Sequence, residues 1–156
     1  MRIRRIRCPV LALLLLLAPL GSNAKASCPM LTPGQAREQH SLVFLGTVEA
    51  VKDSTVEPST SVHLAGTWRI ARLRMSSIWK GTPSREIRIL SKLGPETPKL
   101  AAGETYVVYA DSVARGGFID RCSRTRPFSK ASEDIQALGT PVIVQRLAAR
   151  KSATPH

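Results

Sequence analysis

The sequence predicts an all-β fold with a minor α-helical part, built around a small five-stranded Greek-key barrel. Five short apolar or alternating segments follow one another between polar turns that contain Gly and Pro. The first segment contains a glycine, and the second changes the side on which its apolar residues lie. Such irregularities let a short sheet curl and close. The sequence lacks the regular alternation of strands and helices found in nucleotide-binding sheets.

The first 26 residues have the three parts of a signal peptide. Four arginines precede an apolar run over residues 10–20, and small residues follow it. The small residues predict cleavage after Ala24 or Ala26. The apolar run is too short to cross a bilayer, which takes about 20 residues.

We therefore expect a signal peptide over 1–26, one domain over 27–139, and a C-terminal helix or tail over 140–156. Removing 26 of the 156 residues leaves 130, enough for one domain with a single core. The mature protein would be secreted or periplasmic, with no membrane span. Two alternatives are an uncleaved membrane anchor and a lipid-modified Cys28.

The charge of the mature chain is moderate. The full sequence has 23 basic and 11 acidic residues, a formal net charge of +12. Five of the basic residues lie in the predicted signal peptide, so the remainder carries 18 against 11, a net charge of +7. A surplus of this size does not favour a nucleic-acid partner.

Two cysteines remain after removal of the signal peptide, Cys28 and Cys122. An even pair in an oxidising compartment predicts one disulfide. The alternative is two unrelated buried thiols. The three histidines do not fall at metal-ligand spacing with each other or with the cysteines, so we expect no metal site and no cofactor.

A short helix is predicted before the first strand. Thr32 is a good N-cap, Pro33 suits the first helical position, and Gln35 can complete a capping box. The helix would end near His40.

The first strand is predicted over 41–51, with a bulge or sharp coil at Gly46, and a polar loop over 52–61 follows it. The second strand is predicted over 67–78. Its apolar residues change sides at Ala71–Arg72, which predicts a β-bulge there.

The other strands are predicted over 85–91, 104–112 and 118–122. A Pro-containing loop over 92–102 separates the first two of these strands. Gly116–Gly117 is predicted to turn the chain between the last two.

One or two C-terminal helices are expected. Ser129 is predicted to cap a helix whose first turn carries Glu133 and Asp134, with Gly139 just beyond its end. A second, weaker helix is predicted over 140–149.

Five segments in order carry a family resemblance: Cys28 before a short helix, SLVFLGTV (41–48), SSIWKG (76–81), AGETYVVYA (102–110) and CSRTRPFSKASEDIQALG (122–139). Together they resemble the netrin-like domain, the fold of the tissue inhibitors of metalloproteinases (TIMPs), in its exported bacterial relatives. The resemblance covers about 27–139. It implies an OB-fold-like barrel.

The chain departs from the family pattern at one bridge. The family often opens with Cys-x-Cys, and here Ala26 stands at the first cysteine. The position of its usual partner is near Glu96, so both ends of that bridge are missing together. In the animal inhibitors the first cysteine chelates the protease zinc through its α-amino and carbonyl groups. Here the mature chain would start at Lys25 or Ser27.

No sequence motif predicts catalysis. The G-x-S-x-G, P-loop and H-E-x-x-H patterns are missing from the sequence. Asp111 and Asp120 are more typical of turn residues than of an acid–base pair. Trp68 and Trp79 are more typical of core and turn anchors than of a stacking platform. We expect no enzymatic activity.

The resemblance implies a non-enzymatic exported module that binds an unidentified protein, with a protease among the candidate partners. The candidate surface combines the N-terminal segment with the loop around Glu96, because in the family a bridge joins these two regions. Its candidate residues are Ser27, Cys28, Pro29, Met30 and Glu96. One alternative is a metalloprotease inhibitor acting through the N-terminal segment. The other is a basic barrel that binds a polyanion through Arg115, Arg121, Arg124 and Arg126.

Overall fold

The computed structural model describes residues 27–56, 66–113 and 116–144. The predicted signal peptide, Arg115 and residues 145–149 of the last predicted helix lie outside these residues. The helices are α1 (Pro33–Gln39), a single 3-10 turn (Phe128–Lys130) and α2 (Ser132–Leu138). The strands are β1 (Leu42–Val56), β2 (Gly66–Lys80), β3 (Glu86–Lys92), β4 (Thr105–Val113), β5 (Gly116–Ile119), β6 (Arg126–Pro127) and β7 (Val142–Ile143).

The first five strands pair in a ring in the order β1–β2–β3–β5–β4–β1. All of these pairs are antiparallel except β3–β5, which is parallel. β1 closes the ring because it pairs on both edges: Val43 lies opposite Lys80 of β2 and Tyr109 of β4. The predicted all-β class with a minor helical part is therefore confirmed.

Helix α1 forms as its sequence predicts. The Thr32 hydroxyl accepts a hydrogen bond from the Gln35 backbone N–H at 3.3 Å, and the Gln35 side chain accepts one from the Thr32 N–H at 2.9 Å. This capping box satisfies two backbone donors that would otherwise lack intrahelical partners. The helix ends at Gln39, one residue before the predicted end.

The irregularity predicted at Gly46 is present as a shift in register, although its extra residue lies in the facing strand. The register between β1 and β2 shifts between Leu45 and Gly46, which leaves Ser76 as an extra residue in β2. A second shift lies between Val48 and Ala50, where Glu49 is the extra residue in β1.

The bulge predicted at Ala71–Arg72 is wrong in position. β2 pairs with β3 without interruption from Trp68 to Arg74, so the irregularity belongs to the facing strand β1. The apolar pattern changes sides because Trp68 is buried on the opposite face from Ala71. Its ring packs against Phe118, with the ring centroids 5.9 Å apart.

The loop predicted over 52–61 begins too early, because β1 continues to Val56. Its polar end pairs with the start of β2 and is held there by side chains. The Arg69 Nε donates to Asp53 Oδ1 at 2.8 Å, and the Arg69 Nη2 donates to Asp53 Oδ2 at 3.0 Å. This bidentate pair lowers the pKa of Asp53.

Gly116 and Gly117 belong to β5, so the predicted turn is wrong in position: Gly116 already pairs with Val113 of the antiparallel β4. Gly116 has a φ of 150°, and a Cβ on it would lie 2.1 Å from the carbonyl oxygen of Arg88. Glycine is needed here because the parallel β5 comes so close to β3. β5 ends at Ile119, since Asp120 starts a turn by accepting the Cys122 N–H at 2.9 Å.

The C-terminal predictions are partly wrong. Ser129 lies in the 3-10 turn, and the N-cap of α2 is Ala131, which has no side-chain cap. The predicted end is correct, because Gly139 has a φ of 69° at the C-cap. Residues 142–143, predicted to be helical, instead pair with β2 as β7. Their β-branched side chains favour a strand.

Two apolar clusters lie on opposite faces of β1 and β4, as alternation along a strand requires. One cluster includes Phe44, Leu73 and Val108, contributed by facing strands of the ring. The other combines Val43 and Tyr109 with residues of α1 and α2. β1 is therefore buried on both faces at its start, as its continuous apolar run predicts.

Gly116→Ala should destabilise the protein by about 1–3 kcal/mol, because it combines an unfavourable φ with a clash against the Arg88 carbonyl. Urea unfolding measures this change. Gly34→Ala is the matched control: a Cβ there meets no atom within 4 Å, and the residue lies in α1. The control should be neutral or stabilising by about 0.5–1 kcal/mol. Equal effects at the two sites would contradict the close approach of β5 to β3.

Candidate functional site

A disulfide attaches the N-terminal segment to the end of the β5 region. Cys28 and Cys122 are bonded, with an S–S length of 2.08 Å and a Cα–Cα distance of 5.1 Å. The predicted disulfide is confirmed. It anchors residues 27–31, called the leader below, to the turn that follows β5.

The leader is held at both ends and exposed in the middle. Beyond the Cys28 bridge, the carbonyl oxygen of Leu31 accepts a hydrogen bond from the guanidinium of Arg124. Leu31 also packs against the second apolar cluster. Between these anchors the side chain of Met30 is 99% exposed. An apolar side chain is thus presented to solvent on a tethered backbone.

The loop that contains Glu96 lies beside the same turn. Glu96 Oε2 lies 3.4 Å from Nη1 of Arg121, and Arg121 directly precedes Cys122. The structure thus connects Glu96 to Cys28 through one ion pair, one peptide bond and one disulfide. Ala26, the other position in the predicted register, lies outside the described residues.

A cavity of about 550 Å³ opens along this loop. Leu93 and Phe118 contribute apolar side chains to its lining, and Lys92, Glu96, Asp120 and Arg121 contribute charged ones. Leu93 is itself exposed. The loop therefore offers a concave, partly apolar surface next to the turn that anchors the leader.

Behind the leader lies a buried polar centre formed around Asp134, which is 0% exposed. The Tyr109 hydroxyl donates to Asp134 Oδ1 at 2.8 Å, and Nε of Arg124 donates to the same oxygen at 2.7 Å. Nε of Arg126 lies 3.5 Å from Oδ2. A buried carboxylate is stable only with such compensation.

Sequence analysis identified Asp134 only as an acidic residue in a first helical turn. A stronger signal was present in the spacing of Ala131, Asp134 and Leu138, which puts the N-cap residue and two residues of α2 on one helix face. All three are buried. An acidic residue at a buried helical position predicts a buried partner of opposite charge.

Hydroxyl groups connect this centre to the backbone of β4. The Ser123 hydroxyl donates to the Tyr109 carbonyl at 2.6 Å, and the Tyr109 N–H donates to Thr125 Oγ1 at 3.0 Å. The segment after Cys122 is therefore attached to β4 on both sides of the Arg124 side chain.

The described arginines of the predicted basic patch all face carboxylates. Arg121 faces Glu96, while Arg124 contacts Asp134 and also Glu133, its Nη2 lying 2.8 Å from Glu133 Oε2. Arg126 faces Asp134. Arg115 lies outside the described residues. A polyanion at these arginines would compete with carboxylates already in place.

Asp111, Asp120 and Trp79, which the sequence analysis also considered, each have hydrogen-bond partners nearby. Asp111 Oδ1 lies 3.4 Å from His40 Nδ1 and 3.4 Å from the Ser41 backbone nitrogen. Asp120 accepts a hydrogen bond from the Cys122 N–H in the turn after β5. Nε1 of Trp79 donates to the Gly139 carbonyl at 2.8 Å, which anchors the end of α2.

Within 27–56, 66–113 and 116–144, no group of three or more His, Cys, Asp or Glu residues is placed to hold a metal ion. The helices in those ranges are too short or too polar to cross a membrane. No protein-family model matches the sequence, and no curated protein matches it. The support for a function therefore comes from the chain's own surfaces.

Both tyrosines of the chain should titrate above the ordinary tyrosine range, which lies near pH 10. Burial and the hydrogen bond to Asp134 raise the pKa of Tyr109. Burial and the bond to Glu104 raise the pKa of Tyr106. Phenolate absorbance of the native protein should therefore rise only at higher pH, and unfolding should restore the ordinary titration.

Because its folded pKa is raised, Tyr109 contributes stability that is complete below about pH 10 and is lost as pH rises through the folded pKa. In the Tyr106→Phe variant Tyr109 is the one remaining tyrosine, so the phenolate absorbance reports its titration alone. Tyr109→Phe should remove part of the alkaline loss and cost about 1.5–3 kcal/mol at neutral pH. A native tyrosine titrating in the ordinary range would contradict the buried centre.

Reduction of the Cys28–Cys122 bond should lower the free energy of unfolding by about 2–5 kcal/mol, because it frees a loop spanning 94 positions. Denaturant unfolding with and without reductant measures the change. The double variant Cys28→Ser/Cys122→Ser should match the reduced protein and be insensitive to reductant. An unchanged unfolding midpoint on reduction would rule out this contribution.

Proposed function

We propose that the chain is a non-enzymatic, exported protein-binding module with a netrin-like, TIMP-like fold. Its protein partner binds the leader together with the loop around Glu96. The observation that carries the proposal is the exposed Met30 side chain on a leader tethered by a disulfide.

The strand pairing supports the proposed five-stranded barrel fold. A ring in the order β1–β2–β3–β5–β4–β1 with one parallel pair is the connectivity expected of a five-stranded Greek-key barrel of OB-fold type. The position of α1 before β1 and the Cys28–Cys122 bridge agree with the resemblance of the sequence to the netrin-like domain.

The leader suits binding for an energetic reason. Burial of a methionine side chain contributes about 1.5–3 kcal/mol, and its flexible thioether adapts to irregular surfaces. The bridge at Cys28 and the bond from Arg124 to Leu31 already restrict the backbone around Met30. A partner would therefore lose less free energy in ordering this segment.

The cavity beside Glu96 supplies the second half of the surface. Its apolar floor at Leu93 and Phe118 accepts an apolar side chain of the partner, while the ion pair between Arg121 and Glu96 lies at its edge. A central apolar contact with a charged rim is the usual composition of a protein interface.

Metalloprotease inhibition is the second candidate function. It is favoured by the anchoring of Cys28, because cleavage after Ala26 would leave the new α-amino group on Ser27, next to an anchored residue. Against it stands the absence of a cysteine at the start of the mature chain. An inhibition assay against zinc proteases distinguishes it from binding without inhibition, and intact mass of the exported protein identifies the N-terminus.

A photo-crosslinking side chain at position 30 or 93 should capture the same protein partner. Position 142 is the matched control, because Val142 is also exposed and apolar but lies on β7. Capture of that partner from all three positions alike would contradict the proposed surface.

Pro29→Ala/Met30→Ala should then weaken binding of the captured partner by about tenfold or more, because the buried Met side chain is lost. The thermal midpoint should stay nearly unchanged, since both residues are exposed. Lost stability with unchanged affinity would instead show that the leader only supports the fold.

A further inference from the structure

A second and larger cavity, about 790 Å³, opens where the ends of β2 and β3 face those of β4 and β5. It shares no lining residue with the cavity beside Glu96. Its size lies within the range of small-molecule sites. None of the residues in the proposed protein-binding surface contributes to it.

Two arginines lie directly opposite one another at this cavity. Arg72 of β2 and Arg88 of β3 are cross-strand partners, so their side chains share one face of the sheet. Like charges in this arrangement repel each other.

The positive charge at this pair is incompletely compensated. Arg72 and Arg74 share the single carboxylate of Glu49, at 3.5 and 3.7 Å. The Arg88 guanidinium makes no hydrogen bond or ion pair to another described residue. Among the described residues that line the cavity, Glu86 supplies the only carboxylate. An anion bound between the two guanidiniums would relieve the repulsion.

Hydroxyl groups and an apolar wall complete the cavity. Ser41 Oγ accepts the Ser112 N–H at 2.6 Å, which leaves the Ser41 hydroxyl proton available to a ligand. Thr82 supplies a second hydroxyl. Val113 lines the cavity as well and is 43% exposed. Hydrogen-bond donors for an oxyanion thus lie in the same cavity as an apolar side chain that can contact a hydrocarbon group.

We infer that this cavity binds a small ligand in which a phosphate or sulfate group is attached to an apolar carbon skeleton. Arg72 and Arg88 hold the oxyanion, the hydroxyls of Ser41 and Thr82 donate to it, and Val113 contacts the skeleton. Two planar guanidiniums match the several terminal oxygens of phosphate or sulfate better than the two oxygens of a carboxylate. The site is independent of the proposed protein-binding surface.

Calorimetric titration of the purified protein with phenyl phosphate, phenyl sulfate and inorganic phosphate tests the inference. At least one aryl ester should bind saturably and more tightly than inorganic phosphate, because only the esters reach the apolar wall. The preference between the two esters identifies which oxyanion the site takes. Absence of saturable binding of both esters would overturn the inference.

Arg88→Gln should weaken binding of the preferred ester by about tenfold or more, the usual cost of losing a charge-assisted hydrogen bond. Arg85→Gln is the matched control: it removes the same charge three positions away, from an exposed side chain that does not line the cavity. The control should change the affinity by less than about twofold, since screening weakens distant exposed charges.

A second variant changes the cavity without removing an arginine, so it separates an effect at the site from a general effect of losing an arginine. Val113→Asp adds a carboxylate to the cavity wall, which repels the oxyanion. It should weaken binding of the preferred ester about as much as Arg88→Gln does, with the thermal midpoint of unfolding nearly unchanged. Equal losses of affinity in Arg85→Gln and Arg88→Gln would show that the ester responds only to the net charge of the protein, and would overturn the proposed site. Full affinity in Val113→Asp would overturn it as well.

Discussion

A carboxylate with no solvent exposure organises one side of this protein. Asp134 must be compensated in place, and its partners come from different elements: the Tyr109 hydroxyl from β4, and the guanidiniums of Arg124 and Arg126 from the segment after the disulfide. Burying a charge without such partners costs several kcal/mol. The requirement therefore determines where α2 and this segment lie against the sheet.

The leader depends on the same centre. Arg124 uses one part of its guanidinium for Asp134 and another for the carbonyl of Leu31, so the buried carboxylate and the exposed leader are joined through one side chain. The disulfide fixes the other end at Cys28. Met30 is exposed between these two anchors.

Charge compensation separates the two surfaces of the molecule. Near the leader, Arg121, Arg124 and Arg126 each face a carboxylate. At the larger cavity, Arg72 and Arg88 face each other with a shared or missing counter-charge. The first arrangement stabilises the fold and leaves an apolar feature for binding. The second places two arginines at the lining of a cavity, where we propose that an anion compensates their charge.

Local signals in the sequence predicted much of the fold. The capping box of α1, the irregularity at Gly46 and the disulfide of Cys28 could all be predicted, because each follows from neighbouring residues or from the count of cysteines. The turn predicted at Gly116–Gly117 was wrong. Glycine suits a turn as well as a strand that touches another backbone, and the sequence does not distinguish the two.

By itself the sequence determined the β-rich class, the first helix and the pairing of the two remaining cysteines. Only the tertiary structure decided that Asp134 is buried, that Arg88 lies opposite Arg72, and that Glu96 reaches the turn which holds the leader. The physical reason is the range of the interactions. Caps and alternation arise within a few residues, whereas charge compensation depends on strand register and on contacts between distant segments.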